Sequence, residues 1–133
     1  MPVAPARRQL ADFLSEDDAK GKLKAWLEAA GWEVRVAMGR EHGIDIDARR
    51  RGSRWIIEVK GQGTLNAMGV NYFLGALSEL LQRMDDPDAR YSVAFPDIAQ
   101  FRRLWQRLPA LAKKRTQISA LFVAGSGQIA EVE

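Results

Sequence analysis

The chain has 133 residues, 47% of them hydrophobic and 28% charged, so it is long enough to bury one core and too short for two ordinary domains. Its net charge is only +3, and the absence of cysteine excludes disulfides and thiolate metal sites. Because no apolar run resembles a signal peptide or a membrane span, we predict one globular, cytoplasmic domain over residues 1–133 with no membrane partner.

The N-terminal part of the chain predicts an arm, a helix and a strand. Residues 1–14 show no clear period, so we interpret them as a loose arm. Ser15 and Asp18 have the spacing of a capping box that begins a helix, and Gly31 ends it. The apolar residues between them recur at helical spacing: Ala19, Leu23, Trp26, Leu27 and Ala30. Alternation of apolar and polar residues over 32–38 then predicts a half-buried strand.

Two further strands are predicted to form a hairpin with its turn at residues 51–52. Apolar and polar residues alternate over 44–49, and the run WIIEVK occupies 55–60. In this register Asp45 lies directly opposite Glu58. Because side chains alternate between the two faces of a sheet, both carboxylates project from the same face.

The second half of the chain predicts a helix, a buried strand, a further helix and a hairpin. The first helix covers 70–84 and joins the hairpin to a strand over 91–95, so we expect these strands to be parallel. Asp97 and Gln100 predict a capping box at the next helix, and 118–132 predict a hairpin around GSG. The predicted fold class is α/β or α+β, with the order αβββαβ around a central mixed sheet flanked by helices, plus a C-terminal helix and β-strands.

The facing carboxylates predict a cation site. Like charges directly opposed in a sheet cost up to about 1 kcal/mol, so a cation should lie between them. Mg²⁺ is typically held by one or two carboxylates and phosphate oxygens, which Asp45 and Glu58 could match, with the backbone carbonyl of Val59 as a third ligand. Lys60 would lie beside the ion, where it could orient an attacking water or offset transition-state charge. The pattern predicts phosphodiester hydrolysis with Mg²⁺ or Mn²⁺ as cofactor.

The stretch GIDIDARRRGSRWIIEVKG resembles the motif of the PD-(D/E)XK nuclease superfamily, in which an aspartate and then Glu-x-Lys on the next strand form the active site. The predicted element order from Ser15 to Phe95 is also similar to the restriction-endonuclease-like core of that superfamily. The resemblance implies catalytic roles for Asp45, Glu58 and Lys60, and the GID form is similar to Mrr-like and Holliday-junction-resolvase-like members. The chain departs from the motif in having Ile44 at the proline position.

Further residues are candidates for the same site. Asp47 rivals Asp45 as the first acid. In similar families the first helix sometimes adds an acidic ligand, which here would be Glu16 or Glu28, and the sequence does not decide between them. Gln62, just past the strand, could contact a phosphate or the attacking water.

The distribution of positive charge favours a phosphate-bearing partner, which we expect to be DNA. Arginine supplies 14 of the 20 basic residues, and residues 98–130 contain six basic residues and no acid. A second cluster lies at the tip of the predicted hairpin. The candidate DNA-binding residues are Arg49, Arg50, Arg51, Arg54, Arg102, Arg103 and Arg107.

The leading functional hypothesis is a metal-dependent DNA endonuclease or resolvase. One alternative is a non-catalytic nucleic-acid-binding module or subunit that keeps the nuclease fold, and another is a protein-interaction module. Since cutting both strands of a duplex usually needs two active sites, a homodimer is the expected assembly.

Overall fold

Six strands form one mixed sheet with helices on both faces. This architecture is that of a computed structural model, which describes residues 13–63 and 66–133. The predicted arm, residues 1–14, lies outside the described residues except for its last two. Of these, Leu14 is buried, and its N–H donates to the side-chain oxygen of Gln62 at 3.0 Å. Leu14 is therefore part of the packed structure and not of a loose arm.

The first helix, α1 (Glu16–Ala29), begins as its sequence predicts. The N–H of Asp18 donates to the Ser15 hydroxyl at 3.0 Å, and the N–H of Ser15 donates to the Asp18 carboxylate at 3.3 Å. The predicted capping box is therefore confirmed, and such a cap is typically worth about 1 kcal/mol. The residues buried along this helix are Ala19, Lys20, Leu23 and Leu27.

The three strands that follow are β1 (Glu33–Val36), β2 (Ile46–Arg50) and β3 (Ser53–Val59), each antiparallel to the next. Ile46 lies opposite Ile57, so the predicted hairpin register is confirmed. Arg51 and Gly52 have φ values of 51° and 83°, the left-handed values that a tight turn matching the strand twist requires. β1 ends at Val36 and is therefore shorter than the predicted 32–38. Met38, which the alternation placed on the buried side, is 41% exposed.

A second helix, α2 (Asn66–Gln82), connects β3 to β4 (Arg90–Pro96), and β4 runs parallel to β3 as predicted. The helix begins four residues before Val70, where the sequence predicted its start. Gly69 lies within α2, where a Cβ would meet the end of the Gln100 side chain of the following helix. This glycine therefore serves a close approach between helices and not a turn.

The C-terminal elements are α3 (Ala99–Arg107), α4 (Ala110–Thr116), β5 (Ser119–Val123) and β6 (Ile129–Val132). β5 is parallel to β4 and β6 antiparallel to β5, which gives the sheet order β1-β2-β3-β4-β5-β6. The capping box predicted for Asp97 and Gln100 is wrong: the N-cap is Ile98, and the Asp97 carboxylate instead accepts a hydrogen bond from Arg102 at 2.8 Å. The basic residues Lys113, Lys114 and Arg115 lie in α4.

The sheet separates two hydrophobic cores. Ile57 and Val59 belong to the core on the α1 side, whereas Ile56 belongs to the core that contains buried residues of α2 and α3. Glu58 and Lys60, in the same alternation as Ile56, therefore emerge on the side of α2. Among the described helices, none combines the length and the apolar character needed to cross a membrane. The fold is thus α+β with a mixed sheet flanked by helices, as predicted.

Candidate active site

Asp45 and Glu58 meet at the open end of the β2–β3 hairpin. The ladder runs from the pair Ile46 and Ile57, and Asp45 is the next residue outward, across from Glu58. The Asp45 Oδ2 accepts a hydrogen bond from the backbone N–H of Val59 at 2.8 Å, so this side chain extends the ladder just before β2 begins. Glu58 is only 1% exposed. Two acidic side chains therefore share a site that is nearly shielded from water.

Lys20 of α1 holds Asp45 from the other side of the sheet. Its ammonium donates to the carbonyl of Ala37 at 2.6 Å and lies 3.4 Å from Asp45 Oδ1 and 3.1 Å from Glu16 Oε2. Burial by itself lowers the pKa of Lys20, which is 1% exposed, but Glu16 and Asp45 outweigh burial and raise it above its usual value of 10.5. Lys20 is therefore charged, and Glu16 reaches the site only through it.

Arg83, just beyond α2, holds Glu58. Its Nε donates to Glu58 Oε1 at 3.0 Å, and its guanidinium also donates to the carbonyl of Gly43 at 3.1 Å. The other oxygen, Glu58 Oε2, is buried and has no hydrogen-bond partner among the described residues. Buried polar atoms are almost always paired, so Oε2 is the atom of this site that calls for a further partner.

The electrostatics of Glu58 match this geometry. Burial, and then the neighbouring Asp45 carboxylate, raise the pKa of Glu58 from 4.5 to about 8, with Arg83 opposing the rise. Burial and Asp45 therefore favour the protonated form of Glu58, against the pull of Arg83. A divalent ion between the two carboxylates would instead favour the ionised form.

A third carboxylate and the predicted lysine complete the site. Lys60 Nζ lies 3.4 Å from Glu79 Oε1 of α2. One oxygen each from Asp45, Glu58 and Glu79 lie within 4.8 Å of one another. Two oxygens on opposite sides of an octahedral Mg²⁺ are about 4.2 Å apart, since each Mg–O distance is about 2.1 Å. The three carboxylates therefore need only a small approach to hold a hard divalent cation between them.

The predicted backbone ligand also points to this site. The N–H and C=O of one strand residue point to the same side of the strand, and the N–H of Val59 points to Asp45. Lys60, the next residue, donates its N–H to Ala94 on the opposite side. The carbonyl of Val59 is therefore directed toward the carboxylates and not toward β4.

Three other predicted residues are engaged elsewhere. Asp47 accepts two hydrogen bonds from Arg54, which holds the pKa of that carboxyl below its usual value. Glu28 pairs with Lys24 at 3.5 Å on the surface of α1. The Gln62 side chain binds the backbone ahead of α1. The structure therefore brings Asp45, and not its rival Asp47, together with Glu58.

The arginines near the hairpin tip lie far from this site. Arg54 is six residues before Lys60, which is roughly 20 Å along an extended strand, and Arg49, Arg50 and Arg51 are at least as distant. Arg54 is bound to Asp47 and to Asp86. Arg50 donates to the carbonyl of Ala30 and lies over the ring of Trp32. Arg49 also lies 3.7 Å from Asp47. Most of this cluster therefore contacts other parts of the fold.

The arginines of α3 also lie away from Lys60. α2 contacts β3 and β4, and α3 packs on the far side of it, where Arg102 lies over Phe122 of β5. The sequence suggested that this basic segment has no acid nearby, but Arg102 forms two hydrogen bonds with Asp97. Arg103 and Arg107 are exposed.

Sequence reasoning did not find Lys20, Glu79 or Arg83. Lys20 precedes Leu23 and Leu27 by three and seven residues, so helical spacing already placed it on the buried face of α1. A charged side chain on a buried face indicates a buried acidic partner. Glu79 is the only charged residue of α2, and Arg83 follows it by one helical turn. The sequence therefore indicates that Glu79 and Arg83 share one helix face. It does not indicate which strand of the sheet that face packs against.

The fold is similar to solved structures, whereas no family model and no curated protein matches the chain. A XisH family protein from Nostoc punctiforme PCC 73102 is 18% identical, with a TM-score of 0.52, over 86% of this chain and 98% of its own. An fdxN element excision controlling factor protein from Anabaena variabilis is 20% identical, with a TM-score of 0.60 and the same two coverages. At this identity the likeness shows the fold, which is consistent with a restriction-endonuclease-like core.

Proposed function

We propose that this protein is a metal-dependent nuclease that hydrolyses phosphodiester bonds of DNA, with Asp45, Glu58 and Lys60 as catalytic residues. The observation that carries the proposal is the buried Oε2 of Glu58, which has no hydrogen-bond partner among the described residues, on a carboxylate that clusters with those of Asp45 and Glu79. Leaving such an atom unpaired costs about 1–3 kcal/mol, so its place in a cluster of carboxylates favours a cation-binding role.

The carboxylates of Asp45 and Glu58 and the carbonyl of Val59 would hold Mg²⁺ or Mn²⁺. A bound divalent ion supplies an activated water and neutralises charge on the leaving oxygen. Lys20 and Arg83 keep the two carboxylates in place from opposite faces of the sheet. Because Lys20 fixes Asp45 and Arg83 fixes Glu58, these two carboxylates are in position before a metal ion binds.

Lys60 serves the phosphate. Its side chain is 23% exposed at the end of β3 and extends over the same face as Glu58, so its ammonium is open to a substrate. There it donates hydrogen bonds to a non-bridging phosphate oxygen, where negative charge increases in the transition state. The same donors orient the attacking water toward phosphorus.

DNA is the proposed substrate class because the chemistry and one structural neighbour favour it. The site combines carboxylates with cationic donors, the arrangement that phosphodiester hydrolysis uses. One neighbour is named an element excision controlling factor, and excision of a genetic element is an event in DNA. A homodimer would bring two sites to the two strands of a duplex.

A second candidate function is DNA binding without cleavage. It is favoured by the ion pairs within the site, since Lys60 is paired with Glu79 and Glu58 with Arg83. The same neighbour's name describes control of excision and not cleavage. Such a protein would bind DNA in a salt-dependent way and would bind no divalent metal.

The deciding experiment is a titration of Mg²⁺ and Mn²⁺ with plasmid and branched DNA substrates. We expect cleavage that EDTA abolishes and that is lost in Asp45→Ala, Glu58→Gln and Lys60→Ala, each checked for folding by circular dichroism. Asp47→Asn and the surface variant Glu28→Ala should keep activity. Cleavage that survives all three active-site changes would rule out this function. A wild-type protein that binds DNA but neither cleaves it nor binds metal would favour the second candidate.

A further inference from the structure

We propose that Glu79 of α2 is a third carboxylate ligand of the divalent cation, an inference that rests on the proposed function. The family resemblance implied an additional acidic ligand on the first helix, Glu16 or Glu28, but Glu16 contacts Lys20 and Glu28 contacts Lys24. Glu79 instead offers an oxygen that lies within 4.8 Å of those from Asp45 and Glu58. The ion is thus held by two carboxylates from the hairpin and one from the helix that follows it.

A second, independent observation points to a ligand within this cluster. Acidic side chains often gather on a surface without binding a metal, but Glu58 is 1% exposed and its Oε2 has no hydrogen-bond partner among the described residues. A buried oxygen of this kind is completed by a cation that several carboxylates share. Glu79 is the acid that α2 contributes to that group.

The position of Glu79 is set by the same helix that positions Glu58. Arg83, one turn after Glu79, donates to Glu58 Oε1, and α2 packs against β3. Helix and strand are therefore joined beside the site, and the Glu79 side chain has only to rotate. Ligands on rigid elements hold a metal with less loss of conformational freedom than ligands on loops.

Glu79 can leave its present partner at little cost. Its contact with Lys60 is 3.4 Å long, and its side chain is 42% exposed, the conditions under which an ion pair contributes little. When Glu79 ligates the cation, Lys60 loses this carboxylate and its ammonium becomes available to the substrate phosphate. Metal binding and the availability of the Lys60 ammonium to the substrate phosphate are therefore coupled through the Glu79 side chain.

The test is isothermal calorimetry with Mn²⁺ alone, comparing the wild type with Glu79→Gln, Glu79→Asp and the surface control Glu28→Gln. We expect Glu79→Gln to raise the dissociation constant at least about tenfold, since changes even to outer partners of metal ligands cost 10–100-fold. Glu28→Gln should bind as the wild type does, and Glu79→Asp should fall between. Thermal melts confirm that each variant is folded.

A second comparison separates ligation from simple neutralisation of Lys60. In a Lys60→Met background, Glu79→Gln should cost the same factor in Mn²⁺ affinity, because a ligand acts whether or not the lysine is charged. The role of Glu79 as a ligand would be overturned if the loss of Mn²⁺ affinity disappeared in this background, or if Glu79→Gln by itself bound Mn²⁺ as tightly as the wild type. Either result would leave the metal site of Asp45 and Glu58 standing. A wild-type protein that binds no Mn²⁺ would overturn the proposed metal centre as well.

Discussion

Replacing Glu58 by glutamine should stabilise the metal-free protein at neutral and alkaline pH. The pKa of Glu58 is raised from 4.5 to about 8 by burial and by Asp45. An acid with a raised pKa in the folded state binds its proton more tightly there than in the unfolded chain. Folding is therefore penalised as pH rises from about 4.5 through 8, and the full cost is present above pH 8.

The size of the effect follows from the same values. Each pKa unit corresponds to about 1.4 kcal/mol, so ionising Glu58 costs the folded state a few kcal/mol. That is a large part of the 5–15 kcal/mol by which domains are typically stable. Glutamine has nearly the same shape and no charge to desolvate, so Glu58→Gln removes the cost while keeping a polar group beside Arg83.

The measurement is urea unfolding followed by circular dichroism, in EDTA, from pH 5 to pH 9. The difference between the two free energies of unfolding reports the pair of Glu58 and Asp45, because titrating groups away from this pair behave alike in both proteins. We expect wild-type stability to fall relative to Glu58→Gln across this range, and added Mg²⁺ to restore it only in the wild type. Parallel pH profiles for the two proteins would refute this account of the buried carboxyl.

Two further changes test how the site is supported. Lys20→Met should destabilise the protein by about 3–5 kcal/mol, measured by urea unfolding, because it leaves Asp45 without its buried partner. It should also raise the dissociation constant for Mn²⁺ measured by calorimetry, and unchanged values would contradict the positioning role of Lys20. Gly61→Ala should cost about 1–3 kcal/mol because the added methyl would meet the backbone of Ser15 and Glu16, whereas Gly21→Ala, within α1 and with open space around it, should add about 0.5–1 kcal/mol. Equal thermal shifts for the two glycines would show that packing at Gly61 is not tight.

The facing of Asp45 and Glu58 follows from the sequence because its causes are local. Gly52 and its neighbour set a two-residue turn, and the period-2 alternation on either side of it fixes which residues share a face. A one-residue slip would move Ile57 out of the core, so only one register buries the apolar face. The capping box at Ser15 was predictable for the same reason, since it depends on a short segment. The parallel pairing of β4 with β3 was predictable from a general rule, since two strands joined through a helix in one sheet usually run parallel.

Only the tertiary structure decides what surrounds those two carboxylates. Lys20 comes from a helix on one face of the sheet, and Glu79 and Arg83 from a helix on the other, so their convergence depends on how both helices pack. Gly69 shows the same limit, because its role is an approach to Gln100, about thirty residues away in the chain. Local patterns report the preferences of one segment, whereas the burial of Glu58 and the pairing of its neighbours arise from contacts between segments that are distant in sequence.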